Sequence, residues 1–192
     1  MSKIYALNND YTQYQDLKLG LRDIVRLTPD HIPLDDVLHF SYRNTHLMSF
    51  WLTPETKFSK NIGFENATIP DLSHWHRGTL VLSPRAFRLL RERLEKTGEL
   101  LPVIVGTDTF YIYNCFVFGK EDEKKTKFSY LDDGRPFELL ELVFTPETSD
   151  KLLFKSKLEN CVTLFCNDQF KQIIEEYKLT GLDLDSVLLK SF

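Results

Sequence analysis

The segment from Thr79 to Phe118 constrains the fold more than any other stretch of the chain. Thr79-Leu80-Val81-Leu82 is apolar enough for a buried strand, and it runs directly into Ser83-Pro84. Ser is a good helix N-cap because its hydroxyl accepts from a free amide of the first turn, and Pro suits the first helical position, where a missing N–H costs nothing. Phe87, Leu90 and Leu94 then recur at helical spacing, with Arg85, Arg88, Arg91 and Arg93 around the rest. Gly98 is expected to end this helix as a left-handed cap. Beyond it, Leu101–Val105 and Phe110–Phe118 are rich in β-branched and aromatic residues, and Gly106-Thr107-Asp108-Thr109 supplies a hairpin turn between them.

Further strands are expected at 127–131 and 137–144, joined by the turn formers Asp132-Asp133-Gly134-Arg135-Pro136. Two more are expected at 152–154 and 162–166. A second helix follows, capped by Asn167 or Asp168, with Phe170, Ile173, Ile174 and Tyr177 on one face and Gly181 as its stop. Leu182, Leu184, Val187 and Leu188 form a short apolar tail. The N-terminal third is less legible. Residues 3–7 suit a strand, 10–16 and 55–70 suit loops, the two prolines of 28–33 impose irregularity, and the apolar run 46–52 suggests a buried strand. The expected fold is α+β, a mainly antiparallel sheet with at least two packed helices. It is expected to form a single domain over 1–192, in which residues 1–68 carry the weaker signals.

Composition excludes several function classes. Hydrophobic residues make up 42% of the chain, enough to build a core, and the net charge of −4 argues against a protein that neutralises phosphates along a nucleic acid. The first ten residues lack a signal-peptide pattern, and no apolar run is long enough for a membrane span, so a cytoplasmic protein with no membrane partner is expected. Cys115, Cys161 and Cys166 are odd in number and form no CxxC, which fits reduced thiols buried as small hydrophobes.

Few residues suggest chemistry. His74-Trp75-His76 would place two rings on one face of a strand, but no third or fourth ligand stands at metal-binding spacing, so no metal is expected. Apolar neighbours around Cys161 and Cys166 favour inert thiols over a Cys/His nucleophile. Nucleotide-binding and hydrolase glycine motifs are absent, and no cofactor is expected. The helix arginines lie among Glu92, Glu95 and Glu99, so intrahelical pairing explains them more cheaply than phosphate contact. Asp35-Asp36 and Asp132-Asp133 suit solvated turns better than general acid–base work.

From Ile69 onward the chain resembles the bacterial immunity proteins of polymorphic-toxin loci, in a large family first catalogued as a domain of unknown function. The resemblance rests on Ile69-Pro70 with Trp75, then Leu80-Val81-Leu82-Ser83-Pro84-Arg85 and Gly98-Glu99-Leu100-Leu101-Pro102-Val103. Tyr111-Ile112-Tyr113-Asn114, Leu153-Phe154-Lys155, Leu164-Phe165-Cys166, Phe170 and Lys178-Leu179-Thr180-Gly181-Leu182 with Val187 continue it. The segment 120–127 departs from the family pattern. What the resemblance implies is binding without catalysis: occlusion of a cognate secreted toxin or effector in the producing cell. The rival functions are a secretion-effector adaptor or chaperone and, more remotely, a Cys/His hydrolase. The candidate partner-binding residues are Asp35, Asp36, Asp132 and Asp133: at least one of these two exposed pairs is expected to contact or steer the toxin, because acidic loops steer a basic partner.

Overall fold

The computed structural model describes residues 3–189. Strand β1 (Ile4–Asn9) leads through β2 (Asp16–Leu17) to three short helices, α1 (Leu21–Leu27), α2 (Leu34–Leu38) and α3 (Phe40–Arg43), and a 3-10 turn at Leu47–Phe50. Two short strands, β3 (Glu55–Thr56) and β4 (Phe58–Ser59), precede β5 (Leu72–His74), β6 (Thr79–Leu82) and helix α4 (Pro84–Leu94). The hairpin β7 (Gly98–Val105) and β8 (Asp108–Cys115) is followed by a second hairpin, β9 (Lys127–Tyr130) and β10 (Pro136–Glu141). Then come β11 (Leu153–Lys155), β12 (Leu164–Asn167), α5 (Asp168–Tyr177) and β13 (Leu182–Asp185). The fold is α+β with mainly antiparallel pairing: the larger sheets run β3-β7-β8-β6-β5 and β11-β12-β1-β13, and among the described residues only β3 joins its sheet parallel.

Local sequence builds the centre. Ser83 accepts from the Ala86 amide at 3.1 Å with Pro84 behind it, and Asn167 Oδ1 accepts from Phe170 at 3.1 Å, so both long helices start where their caps dictate. Helix α4 buries Ala86, Leu90 and Leu94, while Phe87 is half-buried and stacks on Tyr111 with ring centroids 3.6 Å apart. Helix α5 buries Phe170, Ile173 and Ile174. These side chains, with Leu80, Leu82, Leu100 and Tyr113 of one sheet and Tyr5, Leu164 and Cys166 of the other, form the largest core cluster.

The opposite face of the five-stranded sheet presents Val81, Leu101, Val103 and Ile112, and the N-terminal segment covers it. Ile24, Val37, Phe40 and Leu47 pack there, and two indoles pin the layer by donating to the carbonyls of Leu19 (from Trp75, 2.5 Å) and Pro102 (from Trp51, 2.8 Å). A sheet covered on both faces explains why β6 is buried along its whole length.

Several elements differ from the sequence expectation. The run 46–52 is not a buried strand. Glu99, on β7, accepts from the amides of Leu47 and Met48 at 2.8 and 3.0 Å and turns the segment into a 3-10 helix with Met48 and Leu52 exposed. Gly98 is not a left-handed cap: α4 ends before it, and Gly98 opens β7 where a Cβ would strike the Asn114 carbonyl. Helix α5 is stopped by Lys178 in the left-handed region rather than by Gly181. Of the arginines on α4, Arg91 alone forms an ion pair along the helix, with Glu95, whereas Arg85 reaches Asp71 at 2.6 Å and the Tyr177 carbonyl.

Candidate functional site

The hairpin β9–β10 belongs to neither large sheet. It forms an arm whose base is closed by Thr145 N–H donating to the Lys120 carbonyl (2.8 Å) and Asp122 N–H donating to the Val143 carbonyl (2.7 Å). Leu139 packs back against the cluster of Phe144, Phe154 and Phe165. Phe128 and Ser129 are half-buried, and most of the remaining arm faces water: Tyr130, Phe137 and Leu140 are 63%, 70% and 56% exposed. Adjacent strand residues point to opposite sides. The 136–141 sequence lacks a clean alternation of apolar and polar residues, so covering Leu139 leaves other apolar groups outside.

The tip of this arm carries Asp132 and Asp133, both exposed. Gly134 takes φ +81° and its N–H donates to the Leu131 carbonyl at 2.8 Å, which closes the turn. Asp133 accepts from the Arg135 side chain and backbone at 2.7 and 3.1 Å, and the Arg135 hydrogen bond is what lowers its pKa. Asp132 has no ion pair among the described residues. From 127 to 141 the charges are Asp132, Asp133, Glu138 and Glu141 against Lys127 and Arg135, an acidic excess beside the exposed apolar side chains.

Asp35 and Asp36 are placed differently from the loop that the sequence suggested. Both lie in the first turn of α2, where Arg43 donates to both carboxylates, at 2.7 Å to Asp36, and His39 contacts Asp35 at 2.9 Å. Asp35 is exposed and Asp36 half-buried. Helical geometry lets one guanidinium from α3 serve both neighbours, which an extended chain would hold apart. No hydrogen bond or ion pair among the described residues joins this pair to the Asp132–Asp133 turn.

His74 ends β5, while His76 lies beyond the strand, so a two-residue strand repeat does not govern both rings. Nε2 of His74 is buried without a partner, and burial lowers its pKa to about 4. His76 rests against the Phe40 ring, 5.8 Å between centroids, and burial lowers its pKa as well. Among the described residues no group of three or more His, Cys, Asp or Glu side chains is arranged to hold a metal. All three cysteines are buried and unpaired; burial pushes the Cys161 thiol up to about 11 and raises those of Cys115 and Cys166.

A feature with no sign in the local sequence lies under α3. Lys155, on β11, is fully buried, and its amine donates to the Ser41 carbonyl and lies 3.4 Å from Ser41 Oγ. The amine also sits 4.9 Å from the centre of the Phe118 ring. Gly78, at φ +63°, makes room: a Cβ there would collide with Ser41 Oγ and come within 2.8 Å of the Lys155 stem. Ser41 in turn lines a cavity of about 590 Å³ bounded by α2, α3, His76, Arg77 and Asn160. No protein-family model matches the chain, and neither does any curated protein. No helix among the described residues is long and apolar enough to cross a membrane.

Proposed function

We propose that this chain is an immunity-type protein that binds a cognate secreted bacterial toxin and neutralises it by occlusion, with the β9–β10 arm as the principal contact. The observation that carries this is the set of exposed side chains Tyr130, Phe137 and Leu140 on an arm with an acidic tip. Exposed aromatic and aliphatic groups clustered on one element favour burial against a partner, and about 1.5–3 kcal/mol is gained for each such side chain fully removed from water. The acidic excess fits a partner whose contact surface is cationic around an apolar centre, as a nuclease toxin's would be. The sequence resemblance to immunity proteins of polymorphic-toxin loci supports the same function, and residues that would belong to a catalytic mechanism on the Cys/His rival are buried thiols with raised pKa values.

The test is co-production of this protein with the toxin encoded in its own locus, read as growth of a susceptible strain and as a co-purifying complex. Protection by the parent is expected, and its loss in a Tyr130→Ser, Phe137→Ser, Leu140→Ser variant that melts at the parent's temperature. Growth arrest in the presence of the well-folded parent sinks the immunity function. Full protection by the folded triple variant removes the arm from it.

A further inference from the structure

The cavity between α2–α3 and the Trp75–Gly78 turn is lined by one cation, Arg77, and its Ser41 wall is backed by a second, the buried Lys155. Among the described residues neither Arg77 nor Lys155 forms an ion pair. Arg77 lines the cavity and uses one guanidinium nitrogen on the Asn160 carbonyl at 3.0 Å. Lys155 lies directly behind Ser41, with a carbonyl, a hydroxyl and an aromatic face around its amine but no carboxylate. Burial of a cation without a counter-charge is costly, and its field is weakly screened in apolar surroundings. Among the described residues no carboxylate side chain lines the cavity. Nearby carboxyl groups are otherwise engaged: Asp35 with Arg43 and His39, and Glu159 with the Thr163 amide at 2.9 Å. Burial also pushes the Glu159 carboxyl up to about 8, with the Thr163 bonds and the Arg77 charge offsetting only some of the rise, so it is mostly uncharged at neutral pH. Lys155, lowered by burial to about 8, is still mostly protonated there.

The remaining walls are suited to an organic body. Leu38 and Tyr42 are 42% and 45% exposed at the rim, and His76 presents an imidazole held against Phe40. A volume of about 590 Å³ is far more than an inorganic anion needs and falls within the roughly 300–1,000 Å³ of small-molecule sites. We propose that this cavity binds a small organic phosphate monoester, with the phosphate on the Arg77 fork and beside His76, the Lys155 charge behind it, and the organic body against Leu38 and Tyr42. The doubly charged end of a monoester, about −1.5 to −2 at pH 7, matches two unpaired cations better than a single carboxylate does. Planar guanidinium donors bind phosphate oxygens in pairs, which fixes its orientation. The site stands apart from the β9–β10 arm and does not depend on the toxin-binding function.

The experiment is calorimetric titration of the full chain with phenyl phosphate, inorganic phosphate and phenol in a phosphate-free buffer. Phenyl phosphate is expected to bind with a dissociation constant at or below about 1 mM, at least tenfold tighter than either of the other two. Arg77→Ala should weaken it at least tenfold, and Arg77→Lys should restore some of the loss. Lys155→Met, where it folds, should weaken binding several-fold without touching the ligand. Equal binding of phenyl phosphate and phenol overturns the proposal, as does an Arg77→Ala protein that binds like the parent. Inorganic phosphate binding as tightly as phenyl phosphate overturns the assignment of an organic body.

Discussion

The β7–β8 hairpin and the β9–β10 hairpin use the same antiparallel pairing, yet they meet water in opposite ways. The first has its strands continued by β6 and β3 and is sandwiched between α4 on one face and the N-terminal helices on the other. Among the described residues the second has no further strand on either edge, and its Leu139 packs on a core cluster. Isolated two-stranded ribbons are at best marginally stable by themselves. The second hairpin is held at its base by the Lys120–Thr145 and Asp122–Val143 bonds, so its distal half is free to present side chains rather than to bury them. A substitution in the first hairpin region is therefore expected to act on stability, and one in the second, on the proposed function, to act on association.

Four measurements would break or sharpen that contrast. Phe170→Ala or Leu90→Ala, each removing a fully buried side chain beneath the large sheets, should cost about 3–5 and 2–5 kcal/mol in denaturant unfolding. Either variant matching the parent would show that the stripes on α4 and α5 are not core. Acid should destabilise the protein through His74. Its folded pKa of about 4 lies below the usual 6.5, so above pH 6.5 both states are neutral there. As pH falls from 6.5 toward 4 the unfolded chain takes up the proton first, and stability drops by up to ~3 kcal/mol. His74→Leu should flatten this region of the pH–stability curve relative to the parent; an unchanged slope would place the acid sensitivity elsewhere. On the arm, Phe137→Ser should change unfolding free energy by less than about 0.5 kcal/mol while weakening the toxin complex. A Phe137→Ser protein destabilised like a core variant would dissolve the contrast. The smallest effect belongs to Asp132→Asn, which should slow association with a basic toxin about two- to threefold at low salt and not at all at ~0.5 M salt. An on-rate indifferent to both changes removes the steering role.

Legibility followed the range of the interactions. The caps Ser83 and Asn167 and the stripes on α4 and α5 are encoded within a few residues, and the chain folds there as its pattern reads; the turn expected over Gly106-Thr107-Asp108-Thr109 also forms, but Asp108 and Thr109 pair with Val105 and Ile104, leaving Gly106-Thr107 as the turn. The short helices α1, α2 and α3 are four to seven residues long, too short for a 3.6-residue period to emerge, and the first of them begins at a Gly cap. Glu99 converts an apolar run into a 3-10 turn from a distance of about fifty residues along the chain, beyond the reach of any local pattern. Of the four aspartates singled out for partner binding, the Asp132–Asp133 turn was readable from Gly134 and Pro136, whereas the helix and the Arg43 contacts around Asp35 and Asp36 were not.

By itself the sequence determined an α+β chain with two capped amphipathic helices and an acidic hairpin tip, because propensity, capping and turn chemistry act between near neighbours. The tertiary structure alone decided that the N-terminal third covers a second sheet face, that Tyr130, Phe137 and Leu140 remain outside, and that Lys155 is buried against Ser41 beside a cavity. Nothing about a lysine in the string Leu153-Phe154-Lys155 marks it for burial. Its environment is made by Ser41, Gly78 and Phe118, which only folding brings together around one amine.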